Sequence, residues 1–222
     1  MTDHFTIAID GPAGSGKSTA AKGVATRLGF GYLDTGAMYR AVAVGCLRHG
    51  VDHDDPAAIA AYCESMDLQI TTDAAGIKVT LEGDDVTRAI REPAVSAWVS
   101  AVAQNPACRA NLVLRQQRII TQGYWVLEGR DTTTVVAPSA QVRVLLQADP
   151  ATRLARRGGE LRGALSQQEL EDQVLRRDRD DSALVNFETP ADGVVLIDST
   201  HLTREQVVDA IVELAKENGL GV

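Results

Sequence analysis

The chain has 222 residues, of which 45% are apolar and 23% charged, a balance that argues against a disordered or fibrous protein. Its formal charge of −8 opposes a polyanionic partner, so no nucleic-acid role is expected. Cys46, Cys63 and Cys108 lack any CxxC spacing, which suits reduced thiols in helix packing, and the start MTDHFTIAID reads as neither secretion signal nor membrane span. A cytoplasmic monomer without membrane association is the expectation.

In chain order, the β-branched run 5–9 ahead of a glycine-rich stretch predicts a buried parallel strand. Ala20, Ala21, Val24, Ala25 and Leu28 then share one face of a helix over 17–28, with Gly29 placed to end it. A second helix is predicted over 36–49, capped by Gly50, and a third begins near Pro56. The period then changes to two. Leu68, Ile70 and Thr72, and after a turn at 73–76 Ile77, Val79 and Leu81, predict a hairpin. Helical spacing returns through Val95, Val99 and Val102 and again from Pro106 to Ile120, until Gly123 breaks it. Runs at 124–127, 142–146 and 194–197 predict further core strands, and Trp98 and Trp125 are expected in the core. Ser166 with Glu169, and Thr203 with Gln206, are capping-box patterns for two late helices, the first ending near Arg177. Alternating strands and helices imply an α/β fold, a parallel sheet covered by helices on both faces.

Gly11, Pro12, Ala13, Gly14, Ser15, Gly16, Lys17 and Ser18 satisfy GxxxxGK[ST] between a predicted strand and helix, the P-loop context. The glycines let successive N–H groups converge on one point, and the helix terminus adds positive potential, so phosphate oxygens are held there. Lys17 reaches the terminal phosphates, the Ser18 hydroxyl ligates nucleotide-borne Mg²⁺, and Thr19 adds a donor; ATP is the implied cofactor.

A P-loop alone leaves the function class open. No NKxD segment marks a guanine switch, and Leu165-Ser166-Gln167-Gln168 lacks the glycines of a transporter signature. Transfer to a second phosphate needs a second anion site, for which arginines are suited. Arg130 stands just past a strand, where ligands bind open α/β sheets. Between Arg153 and Arg179 lie seven arginines around Gly158, Gly159 and Gly163, a pattern suited either to a lid over polyphosphate or to a charged helix balanced by its acids. His4, His49, His53 and His201 show no metal-ligand spacing.

Four strings taken together, IDGPAGSGKST from Ile9, LDTGAMYR from Leu33, EGRD from Glu128 and RDRDDS from Arg177, resemble the bacterial cytidylate kinase family in order and spacing along nearly the whole chain. The resemblance implies one P-loop kinase domain, 1–222, with a hairpin-containing insertion that binds a nucleoside monophosphate at about 35–105 and an arginine-rich lid at about 153–180. It implies transfer from ATP with Mg²⁺ to CMP or dCMP. It also places Thr35, Arg40 and Arg130 on the acceptor phosphate, Ser100, Arg109 and Asp131 around cytosine, and Arg177 and Asp181 near the acceptor's sugar and phosphate. Lys17, Arg130, Arg153, Arg157 and Arg177 are the expected catalytic groups, neutralising charge on the transferring phosphoryl. Two positions depart from the family's usual residues: Thr133 stands where glycine is usual, and Leu184 where arginine is common. A UMP or non-nucleotide acceptor, or a nucleotide-driven switch without transfer, are the competing readings.

Overall fold

The structure, a computed structural model, describes residues 4–160 and 189–221. The chain forms two compact units, 1–33 with 122–222, and 34–121. The second spans residues 34–121, a range that includes 35–105.

The first unit is built on a five-stranded sheet of β1 (His4–Asp10), β2 (Gly31–Asp34), β6 (Gly123–Gly129), β7 (Val142–Gln147) and β8 (Val195–Asp198), in the order β2-β6-β1-β7-β8. β1 pairs in parallel with β6 on one side, Ile7 opposite Val126, and with β7 on the other, Ile7 opposite Val142. A strand flanked this way must be apolar on both faces, and Ile7, Ala8 and Ile9 are fully buried. The chain passes from one side of β1 to the other between β6 and β7, so the sheet has a switch point at the carboxyl end of β1, the position where open α/β sheets bind ligands.

Helices α1 (Lys17–Leu28), α6 (Pro150–Glu160) and α7 (Arg204–Glu217) accompany this sheet. α1 and α7 pack closely because Gly23 has no Cβ where Val208 Cγ2 lies, 2.6 Å from the position a Cβ would take. α7 begins with the predicted capping box: Thr203 Oγ1 accepts from Gln206 N at 3.2 Å, and Gln206 Oε1 accepts from Thr203 N at 2.8 Å.

The second unit holds α2 (Thr35–Arg48), α3 (Pro56–Ser65), α4 (Pro93–Gln104) and α5 (Pro106–Ile119) with an antiparallel sheet of β3 (Leu68–Ile70), β4 (Val79–Leu81) and β5 (Asp84–Asp85). Asp34, Asp55 and Asn105 cap α2, α3 and α5 by accepting first-turn N–H groups. The hairpin pairs Leu68 with Leu81 and Ile70 with Val79.

Some expectations need correction. β2 and β5 were not anticipated: β2 is four residues ending in Asp34, and β5 is only the exposed pair Asp84–Asp85. Trp98 and Trp125 are half-buried instead of core: Trp125 lies over Gly31 and donates Nε1–H to Gln122 O at 2.6 Å, and Trp98 meets the His53 ring edge-on at 4.8 Å. The Ser166–Glu169 helix start, Arg177, Asp181, Leu184 and most of the expected lid lie outside the described residues. Among the described residues no helix is long and apolar enough to cross a membrane.

Candidate nucleotide-binding site

The loop from Gly11 to Gly16 leaves the carboxyl end of β1 and runs into α1. Gly14 and Gly16 hold φ of 76° and 91°, the left-handed region, and a Cβ on Gly14 would collide with the Arg153 backbone. Ser15 N donates to Pro12 O at 3.3 Å, and Lys17 Nζ donates to the same carbonyl at 3.2 Å. Ser15 is fully buried, and its hydroxyl has no hydrogen-bond partner. Such an orphan is costly unless a ligand satisfies it, so the cradle fits a phosphate group. Ser18 and Thr19 face solvent at the start of α1.

Two arginines of α6 reach the loop's carbonyls. Arg153, predicted as a lid residue, donates Nη1–H to Ala13 O at 3.2 Å. Arg156, another of the arginines between Arg153 and Arg179, donates to Ser15 O at 3.3 Å, to Ser199 Oγ at 3.0 Å and to Ser199 O at 2.8 Å. Ser199 Oγ itself lies 3.0 Å from Ser15 O and 2.9 Å from Gln147 O. The loop is thereby fastened to β7, to α6 and to the end of β8. Arg157 is half-buried on the same helix. Beside the loop, Gly16, Thr19, Arg156, Leu202, Thr203 and Val207 line a cleft of about 380 Å³. One polar rim and apolar walls give it the character of a site for a flat, partly apolar group.

At the other flank of the loop, Asp10 closes β1 with a buried carboxylate that takes four hydrogen bonds from Thr132 and Thr133. The residues just before these threonines are Arg130, half-buried, and Asp131, buried. Thr132–Val136 form one wide helical turn in which Asp131 O accepts from Val135 N at 2.8 Å. No residue of this turn has positive φ, so Thr133 occupies its place without the freedom of a glycine. Glu128, also buried, accepts from Tyr32 OH at 3.0 Å.

In the second unit, Asp34 is shared between α2's first turn and Arg91: Oδ1 accepts from Ala37 N at 2.9 Å and Oδ2 from Arg91 Nη2 at 3.0 Å. Thr35 is buried beside it. Arg40, one helical turn on, is buried and donates to Ile90 O at 3.1 Å and Ser96 Oγ at 3.2 Å, which fixes its guanidinium against the 89–96 segment. Ser100 on α4 and Arg109 on α5 are half-buried. Among the described residues no group of three His, Cys, Asp or Glu could hold a metal ion.

A family model described as Cytidylate kinase matches residues 7–217. The chain belongs to the cytidylate kinase family. Among curated relatives, the cytidylate kinase of Cutibacterium acnes is 49% identical over 215 residues, 96% of each chain. That of Pelotomaculum thermopropionicum is 44% identical over 217 residues, again 96% of each. The family is one of phosphotransferases acting on small-molecule nucleotides. An uncharacterized protein from Eubacterium ventriosum superposes with a TM-score of 0.53 at 12% identity, over 96% of this chain and 99% of its own, a likeness of fold alone.

Proposed function

We propose that the chain transfers the γ-phosphoryl group of ATP to CMP and dCMP, giving ADP with CDP or dCDP. The observation that carries this reading is the glycine cradle at β1's end, with its unpartnered Ser15 hydroxyl, in a chain of the cytidylate kinase family. The donor phosphates rest on the 11–16 loop with Lys17 beside the terminal groups, and the donor base enters the cleft between Arg156 and Leu202. Mg²⁺ arrives with the nucleotide and screens its charge, with the Ser18 hydroxyl as a ligand.

The acceptor is already largely a dianion near neutrality, since its second pKa is about 6, so no general base is required. The chain's task is to align two anions and neutralise charge on the moving phosphoryl. Arg130, Arg153, Arg157 and Arg177 serve that neutralisation. Thr35, Arg40 and Arg130 hold the acceptor phosphate; Ser100, Arg109 and Asp131 read cytosine; Arg177 and Asp181 contact the acceptor's sugar and phosphate. Arg40 is suited to this because its anchors at Ile90 and Ser96 preorganise it.

Coupled measurement of ADP release over CMP, dCMP, UMP and AMP tests the reading. CMP and dCMP should support turnover, and UMP and AMP much less. Turnover with UMP alone, or with a non-nucleotide alcohol, overturns the acceptor assignment. ADP release indifferent to every acceptor favours a switch.

A further inference from the structure

Asp10 receives more than a turn cap requires. Thr132 and Thr133 each donate a backbone N–H at 2.8 Å, and each adds its hydroxyl, at 2.7 and 2.6 Å. The three residues are buried, and among the described residues Asp10 has no ion-pair partner. Bonds from hydroxyls to a carboxylate are of the strong, charge-assisted kind, and here two of them are added to a carboxylate that two N–H groups already cap.

What these bonds join gives them a consequence. Asp10 is the last residue of β1, while Thr132 and Thr133 directly follow Arg130 and Asp131. The 132–136 turn closes on itself through Asp131 O and through Ala137 N to Thr132 O at 2.8 Å. Arg143 Nη1 also reaches the turn, donating to Thr133 O at 3.4 Å. The 11–16 loop, by contrast, is fastened separately by Arg153, Arg156 and Ser199.

We propose that Thr132 and Thr133 are positioning residues: through the Asp10 carboxylate their hydroxyls fix Arg130 and Asp131 at the carboxyl end of the sheet, and so set acceptor affinity without touching either substrate. The inference rests on the kinase reading above. Loosening this tie displaces the turn that carries Arg130 and Asp131 but leaves the donor cradle in place. Acceptor and donor affinities therefore separate.

Steady-state kinetics on the full chain test it, with Thr133→Val, the double variant Thr132→Val/Thr133→Val, and Thr133→Ser. Valine keeps the branched shape and removes only the hydroxyl. The double variant should raise KM for CMP on the order of tenfold, the loss of hydrogen bonds to a charged group. KM for ATP should stay within about twofold, and serine should restore the wild-type value. An unchanged KM for CMP, or an equal rise for both nucleotides, overturns the proposal. Should the double variant fail to fold, Thr133→Val decides the matter, since Thr132 and both backbone donors remain. If the unmodified chain shows no CMP-dependent ADP release, the kinase reading itself fails and this inference falls with it.

Discussion

At the scale of single residues, the proposed function gives Ser15 and Lys17 the donor side. Lys17 rests on Pro12 O at 3.2 Å, a carbonyl inside the same loop, so its charge stays where the terminal phosphates are expected. Lys17→Ala should lower kcat on the order of a thousandfold, as removal of a preorganised charge does. Its far-UV circular dichroism should match the parent, because the loop's other ties remain. Gln116 shows the opposite situation: it is fully buried on α5 and neither end of its amide has a hydrogen-bond partner. Gln116→Met, of similar shape, should stabilise the chain by about 1–3 kcal/mol against urea, the cost of an unsatisfied amide. A loss of stability would show that the amide is satisfied in solution. Thr133 illustrates what sequence leaves hidden at this scale. A threonine at a position where glycine is usual reads as a constraint on the backbone, yet the backbone there needs no glycine, and the side chain turns out to be a donor to a residue 123 positions away.

Elements were legible where local chemistry specifies them. The capping box at Thr203 and the glycine closure of α1 are written in adjacent residues and formed as expected. β5 was missed because its turn is Glu82-Gly83, with φ of 54° and 86°, where asparagine or aspartate ordinarily precedes the glycine of such a turn. Glu82 holds this strained position with tertiary help: its carboxylate contacts His49 Nε2 at 2.8 Å and accepts from Tyr62 OH at 3.0 Å. The hydrogen bond from His49 is the largest influence and holds its carboxyl below the usual glutamate range; burial opposes it, and Tyr62 adds to the lowering. The folded chain thus prefers the charged form more than the unfolded chain does. The resulting stability is complete above the ordinary range and is lost as pH falls through the lower folded value. Glu82→Gln should therefore flatten the acid loss of stability below about pH 4.3, measured by urea midpoints. An unchanged slope would remove Glu82 from that dependence.

For the whole molecule, the 11–16 loop belongs to the unit of 1–33 and 122–222, so under the proposed function ATP should protect that unit. A ligand present at a hundred times its dissociation constant stabilises by about 2.7 kcal/mol, so ATP without acceptor should raise the thermal midpoint, and Lys17→Ala should abolish most of the shift. Hydrogen exchange would place the protection in residues of this unit; protection confined to 34–121 would contradict the donor assignment.

The P-loop, the Thr203 capping box and the parallel-sheet class followed from the sequence itself, because each depends on residues a few positions apart: glycines for convergent N–H groups, an oxygen for a first-turn N–H, unbroken apolar runs for buried strands. Only the tertiary structure decided which distant groups meet. Cys63 Sγ approaches Cys108 O at 3.7 Å although 45 residues separate them; Arg156 and Ser199 fasten Ser15; Thr132 and Thr133 hold Asp10. Those pairings depend on strand order and helix packing, which place β6 and β7 on either side of β1, and no local pattern encodes that order.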